Sequence, residues 1–79
     1  MIFMKINEVC EIVEKVFSLK KGSVKATTTS ADIEKWDSLG QFALIDYLDK
    51  NFKKITTKKN NLAIATSVKE LYDFGLKDL

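Results

Sequence analysis

Hydrophobic and polar positions near the start of the chain repeat with the period of an α-helix. Asn7 is a suitable N-cap, Glu8 places negative charge in the first turn, and Gly22 is a suitable stop. We therefore predict a first helix from about Asn7 to Lys20. The predicted buried face comprises Ile6, Val9, Cys10, Ile12, Val13, Val16 and Phe17, and the predicted solvent face comprises Glu8, Glu11, Glu14, Lys15 and Ser18.

Residues 22–37 show no regular period and are rich in Thr and Ser. This composition predicts a long irregular loop, with a short helical turn over 31–35. A loop of this length in a compact domain is usually functional or held down by anchoring side chains. We expect Ile33 and Trp36 to be those anchors.

The next segment predicts a second helix that begins at Asp37 or Ser38 and ends at about Phe52 or Lys53. It carries apolar side chains on two faces rather than one. Exposed apolar surface of this kind often marks a partner site. The predicted core stripe is Leu44, Ile45, Leu48 and Phe52, and the opposite patch is Leu39, Phe42, Ala43 and Tyr47, arranged around Asp46.

The last third of the chain predicts a short helix over 58–64, in which Leu62 and Ile64 supply apolar contacts. A final helix is expected to start at Thr66 or Ser67, because Ser67 and Glu70 have the spacing of a capping box. Its predicted core face is Val68, Leu71 and Tyr72, and Leu76 or Leu79 extends this face. Gly75 is expected to end the regular part of the helix.

No segment shows the sustained alternation of a strand. The prediction is an all-α fold: one domain over 1–79, a small four-helix bundle of three main helices and one short helix, with a long loop between the first two. A chain of 79 residues is long enough for one small core only.

Composition narrows the classes of protein that fit. Hydrophobic residues at 46% and charged residues at 30% are typical of an ordinary globular chain. No apolar run approaches the roughly 18 residues of a membrane span, and residues 1–5 lack the layout of a signal peptide. We expect a cytoplasmic monomer that binds neither membrane nor nucleic acid. The net charge of +2 favours no nucleic-acid role, and the lysines at 53, 54, 58 and 59 indicate a solvated loop.

The candidate chemistry is limited because the chain has one cysteine and no histidine. This excludes an internal disulfide, a cysteine zinc cluster and the mechanisms that need histidine. Cys10 falls on the apolar face, where a buried and inert thiol is expected. The acids at 8, 11 and 14 lie on a predicted solvent face and indicate no metal site. We therefore predict a non-catalytic protein without a metal.

Ser38 is the main candidate for function. A helix start leaves N–H groups unpaired and carries partial positive charge, so it favours an anion. A serine there can simply cap the helix, or it can carry a phosphate-linked group. The long loop before Ser38 favours the second interpretation, and so do the apolar residues predicted on the opposite face of the same helix, Leu39, Phe42, Ala43 and Tyr47.

The sequence Asp37-Ser38-Leu39, followed in phase by the helix pattern of residues 40–52, resembles the acyl carrier protein family. The resemblance covers nearly the whole chain in length, helix order and long first loop. It implies that Ser38 bears a 4′-phosphopantetheine cofactor, with Asp37 and Leu39 as the neighbouring cofactor-binding residues. It also implies that Asp37 positions the modifying transferase or caps the helix. It further implies a set of partner-binding positions, Leu39, Phe42, Ala43 and Asp46. Trp36, the predicted loop anchor beside the serine, is expected to be a further partner contact.

The function implied is a carrier of acyl or aminoacyl thioesters. Its expected partners are a phosphopantetheinyl transferase, a loading enzyme and a downstream transferase. Carriers of fatty-acid synthesis are strongly acidic along the second helix, whereas this chain has Ala43, Asp49 and Lys50 there. The chain thus resembles stand-alone carriers of specialised pathways, such as surface-glycan modification or polyketide and peptide assembly. The alternatives are a helical interaction module in which Ser38 is only a cap and, third, a basic nucleic-acid module.

Overall fold

The structure is a computed structural model that describes residues 4–78. Four α-helices and three 3₁₀ turns together make up most of it, and the predicted all-α class is confirmed. Within residues 4–78 there is no strand, and an isolated antiparallel bridge joins Thr29 to Ser67. The elements are α1 (Ile6–Val16), a 3₁₀ turn (Ser30–Asp32), α2 (Ser38–Asn51), α3 (Ile55–Lys58), a second 3₁₀ turn (Asn60–Ile64), α4 (Val68–Phe74) and a third 3₁₀ turn (Leu76–Asp78).

Helix α1 starts slightly earlier than predicted. Its N-cap is Lys5 and not Asn7, so the first helical residue is Ile6. The carboxylate of Glu8 accepts a hydrogen bond from the backbone N–H of Lys5 at 2.9 Å. This bond satisfies one N–H that a helix start leaves without an intrahelical partner.

The end of α1 also differs from the prediction. The helix stops at Val16 instead of near Lys20, because Ser18 adopts a left-handed conformation with φ of 54°. The N–H of Leu19 then bonds to the carbonyl of Glu14 at 2.8 Å, which closes the helix end.

Glu14 was predicted on the solvent face, and this prediction is wrong. The residue is only 6% exposed. Its carboxylate accepts hydrogen bonds from the N–H groups of Gly22 at 2.9 Å and Val24 at 3.0 Å. The early end of α1 allows the loop to fold back over this side of the helix, while Glu8 and Glu11 remain exposed as predicted.

The long loop is anchored as the sequence predicts. Ile33 and Trp36 are buried at 7% and 4% exposure. Two backbone hydrogen bonds add to this anchoring and connect the loop to the start of α4. They run from Ser30 N–H to the Thr66 carbonyl at 2.7 Å and from Val68 N–H to the Thr28 carbonyl at 3.0 Å.

Helix α2 lies within its predicted bounds and packs through the predicted stripe. Leu44 and Leu48 are fully buried, whereas Ile45 and Phe52 are half-buried. Tyr47 was placed on the opposite face, but its ring packs partly against the core. The core proper consists of Met4, Val9, Cys10, Ile12, Val13, Phe17, Val24, Ile33, Trp36, Leu44, Leu48, Ile55, Leu62, Ala65, Val68, Leu71 and Leu76.

The short helix predicted over 58–64 is the second 3₁₀ turn in the structure, and α3 before it was not predicted. Asp49 at the end of α2 positions the start of α3. Its carboxylate accepts hydrogen bonds from the N–H of Thr56 at 2.9 Å and from the Thr56 hydroxyl at 2.8 Å.

Leu62 in the second 3₁₀ turn is fully buried, as predicted, but Ile64 is 70% exposed and makes no core contribution. The backbone on both sides of Ile64 faces α2. The side-chain amide of Gln41 donates hydrogen bonds to the carbonyls of Ala63 at 3.0 Å and Ala65 at 2.8 Å. Ile64 itself therefore extends into solvent.

Helix α4 begins as predicted, with Ser67 as its N-cap. The Ser67 hydroxyl accepts a hydrogen bond from Glu70 N–H at 3.0 Å, and the Glu70 carboxylate accepts one from Thr66 N–H at 2.9 Å. Gly75 ends the helix, and Leu76 is fully buried. Leu79 lies outside the described residues. No helix within residues 4–78 is long and apolar enough to cross a membrane.

Candidate functional site

Ser38 is the first residue of α2, and its side chain is exposed. The N-cap is Asp37, whose carboxylate accepts a hydrogen bond from the N–H of Gly40 at 2.9 Å. The interpretation of Ser38 as the helix cap is therefore wrong, since Asp37 has that role. The helix does not need the Ser38 hydroxyl to satisfy its first turn.

The environment of Ser38 suits a phosphate-linked group. Helix α2 has 14 residues, and its N-terminal N–H groups carry the positive end of the helix dipole, equivalent to about half an elementary charge. The Asp37 carboxylate occupies the N–H of Gly40, whereas the N–H groups of Ser38 and Leu39 have no intrahelical acceptor at a helix start. An exposed hydroxyl that has no capping role can accept a bulky substituent without a change in the core.

Trp36 precedes this site but faces inward. Its indole N–H donates to the Gln41 side-chain oxygen at 2.7 Å, and its ring lies 5.6 Å from that of Phe17. At 4% exposure, Trp36 offers a partner almost no surface. Its predicted role as a loop anchor is confirmed, and its predicted role as a partner contact is wrong.

Gln41 is a positioning residue that the sequence analysis missed. Its side chain accepts from Trp36 and donates to the carbonyls of Ala63 and Ala65, so it connects the loop, α2 and the second 3₁₀ turn. One side chain thus holds together the three segments around Ser38. No periodic pattern identifies it, because a glutamine among apolar residues looks like an ordinary solvent position.

Three large apolar side chains are exposed near the start of α2 and on the second 3₁₀ turn. We call Leu39, Phe42 and Ile64, with exposures of 78%, 69% and 70%, the apolar patch. Leu39 and Phe42 were placed on this surface from the sequence, and Ile64 was not. Their elements are adjacent because Gln41 bonds to the backbone on both sides of Ile64.

The surface of α2 beyond the patch has little net charge. Ala43 and Asp46 are exposed, as predicted for partner-binding positions. However, Asp46 forms an ion pair with Lys50 at 3.0 Å, which offsets its charge. Among residues 4–78, no group of three potential ligand side chains is placed to hold a metal ion.

Cys10 is buried at 9% exposure, as the sequence predicts. Burial raises the pKa of its thiol, and the nearby negative charge of Glu14 raises the pKa further. Because the thiolate is the reactive form, this thiol is poorly suited to act as a nucleophile.

Comparisons with protein families, with curated proteins and with solved structures gave no significant match to this chain.

Proposed function

We propose that the chain is a carrier protein that bears 4′-phosphopantetheine on Ser38 and presents acyl or aminoacyl groups to partner enzymes. The observation that carries this proposal is the exposed Ser38 hydroxyl at the first position of α2, with the capping role held by Asp37. The likeness of residues 37–52 to acyl carrier proteins supports the same conclusion.

Each residue of the site has a distinct role in this proposal. Ser38 supplies the oxygen of the phosphodiester, and Asp37 keeps the helix start formed while that oxygen is used. Gln41 and Trp36 fix the loop against α2, so the attachment point stays rigid. When bound, the cofactor supplies a thiol that holds the activated group as a thioester. The protein itself forms no bond to the cargo, and tethering raises the concentration of cargo at each enzyme.

The apolar patch is the proposed docking surface for these enzymes. Leu39 and Phe42 lie on the same helix as Ser38, and Ile64 lies on the adjacent 3₁₀ turn. Together they present apolar side chains instead of a row of carboxylates. An enzyme that recognises an acidic helix through a basic surface would find two carboxylates within α2. Asp46 is already paired with Lys50, and Asp49 is hydrogen-bonded to Thr56. This composition supports a carrier of a specialised pathway rather than of bulk fatty-acid synthesis.

Loading of the purified protein tests the proposal directly. Incubation with coenzyme A, Mg²⁺ and a broad-specificity phosphopantetheinyl transferase should transfer one phosphopantetheinyl group to the Ser38 oxygen, as the pyrophosphate bond of coenzyme A breaks and adenosine 3′,5′-bisphosphate leaves. Intact mass spectrometry measures the added mass. Ser38→Ala should abolish the addition. Ser30→Ala, which removes a hydroxyl at the start of the nearby 3₁₀ turn, should leave it unchanged.

The alternative function is a helical interaction module that uses the apolar patch without modification. Three exposed large apolar residues within residues 4–78 favour a protein partner in either case. The loading experiment separates the two functions. No mass addition under conditions that load a control carrier would reject the carrier proposal and leave the interaction module.

A further inference from the structure

A groove of about 890 Å³ lies between α1, the C-terminal end of α2 and α3. We call it the distal groove. Its floor is apolar, and the lining residues that form it are Met4, Ile12, Tyr47, Phe52 and Ile55. Helix α2 rises 1.5 Å per residue, so the end of α2 at the groove lies about 20 Å from Ser38. The distal groove is therefore a surface separate from the proposed attachment site.

The wall formed by α1 carries charges of both signs. Glu8 and Glu11 line its N-terminal part, and Lys15 follows one turn later. All three side chains are exposed. An occupant of the groove therefore faces carboxylates along one part of this wall and an ammonium group at its end.

The opposite wall is basic. Lys53, Lys58 and Lys59 line it. Lys59 is already neutralised, since its Nζ lies 2.6 Å from the Asp78 carboxylate, and this hydrogen bond lowers the pKa of Asp78. Lys53 and Lys58 are exposed, and within residues 4–78 neither forms an ion pair. Together with Lys15, they leave the groove with more positive than negative charge.

The backbone at the basic wall is in an uncommon conformation. Lys53 and Lys54 have φ angles of 53° and 57°, in the left-handed region that glycine or asparagine usually fills. The turn is held by a hydrogen bond from Lys54 N–H to the Asp49 carbonyl at 2.8 Å. Of these two lysines, Lys53 lines the groove, so this part of the basic wall is built at a cost in backbone strain.

We propose that the distal groove binds an amphipathic helical segment of a partner protein, with carboxylates along the edge of its apolar stripe. The apolar floor accepts the stripe, as in other helix-in-groove interactions. Lys53 and Lys58 of the basic wall pair with the carboxylates. The concave apolar floor favours such a segment over a nucleic-acid duplex, which stacks its bases inside and presents charged phosphates, and over a flat membrane surface. The proposal does not depend on modification of Ser38.

The binding of two designed peptides to the 79-residue chain tests this proposal. Both are three-turn helices with the same leucine stripe; one carries glutamates along an edge of the stripe and the other carries lysines there. In fluorescence anisotropy at low salt, the acidic peptide should bind about tenfold more tightly than the basic one, and the difference should shrink at high salt. Amide shifts in ¹H–¹⁵N spectra should centre on Ile12, Phe52 and Ile55 and spare the apolar patch.

Charge-reversal variants make the test specific to the groove. The double variant Lys53→Glu and Lys58→Glu should reverse the preference between the peptides. The control, Lys20→Glu and Lys69→Glu, changes the net charge equally at exposed positions away from the groove and should keep the original preference. Circular dichroism on both variants verifies that they fold.

Several results would overturn the proposal. These are no binding at millimolar peptide, equal binding of both peptides or of a scrambled acidic peptide, and shifts confined to Leu39, Phe42 and Ile64. Salt-sensitive binding of mixed-sequence DNA, or of phosphatidylcholine vesicles that contain phosphatidylglycerol, in place of the acidic peptide would also overturn it, because those ligands lack the helical apolar stripe.

Discussion

The backbone carbonyl of Lys35 occupies the space that a Cβ atom on Gly40 would need. The Phe17 ring borders the same position, and a Cβ built there would come within 2.9 Å of it. The end of the long loop therefore packs directly against the first turn of α2. Gly40, two residues after Ser38, is required by this close approach and not by an unusual backbone conformation.

Gly40→Ala should destabilise the protein by about 1–3 kcal/mol, as expected for overpacking against an atom that cannot rotate away. Alanine favours a helix over glycine by about 1 kcal/mol, so helix propensity alone predicts that Gly40→Ala is stabilising, the opposite of the expected loss. Urea unfolding followed by circular dichroism measures it. Ala43→Gly, at an exposed position of the same helix, calibrates the propensity. A Gly40→Ala variant more stable than the parent would disprove the close approach.

Asp37→Ala should lower the free energy of unfolding by about 0.5–2 kcal/mol, the usual effect of losing an N-cap. Ser38→Ala should change it by less than about 0.5 kcal/mol, because the exposed hydroxyl is not the cap. Asp37→Asn should retain most of the stability. Chemical unfolding of the three variants compares them, and a Ser38→Ala loss equal to that of Asp37→Ala would restore Ser38 as the cap.

Leu48→Ala should cost about 2–5 kcal/mol, since Leu48 is fully buried. Phe42→Ala on the opposite side of α2 should cost less than about 1 kcal/mol, because most of its ring is already in water. If the carrier proposal holds, Phe42→Ala should instead reduce the rate at which a partner enzyme uses the loaded protein. Thermal unfolding and partner turnover separate the two effects, and equal stability losses would contradict the exposed position of Phe42.

The sequence predicts the helical elements well because helical period and caps are local properties. Leu44 and Leu48 fall on the buried face, and Asp37 and Ser67 stand at helix starts, from spacing alone. The end of α1 is different. No glycine or proline marks Ser18, and its left-handed conformation depends on how the following loop packs.

Parts of the site could not be predicted because they depend on contacts between distant segments. Glu14 looks like a solvent position on a helical wheel until the loop folds over it. Ile64 looks like a core residue until Gln41 binds the backbone on both sides of it. Trp36 was assigned two roles, and only its packing decides that it is an anchor.

Glu14→Ala should destabilise the protein by about 1–3 kcal/mol, because it removes the acceptor for the N–H groups of Gly22 and Val24. Hydrogen exchange should accelerate most at the Val24 amide, which lies in a buried residue. Glu11→Ala, at an exposed position of the same helix, is the matched control and should be near neutral. Unchanged exchange at both amides in Glu14→Ala would show that this carboxylate does not hold the loop.

Cys10 gives a prediction for pH dependence. Burial raises the pKa of its thiol above the ordinary value of 9.0. The unfolded thiol therefore ionises first as pH rises, so the stability that Cys10 contributes is fully present below pH 9.0 and declines above it. The difference in unfolding free energy between the parent and Cys10→Ala, measured as a function of pH, separates this decline from the effect of lysine ionisation, which both proteins share.

The same shift predicts slow thiol chemistry in the folded state. An aromatic disulfide reagent should modify native Cys10 far more slowly than Cys10 in denaturant. Burial limits both the access of the reagent to the sulfur and the fraction of the thiol that is ionised. Ala43→Cys in a Cys10→Ala background places a thiol at an exposed position of α2 and should react quickly in the native protein. If native Cys10 reacts as fast as that exposed thiol, then α1 opens readily around Cys10. In that case the difference in unfolding free energy between the parent and Cys10→Ala should not decline at high pH.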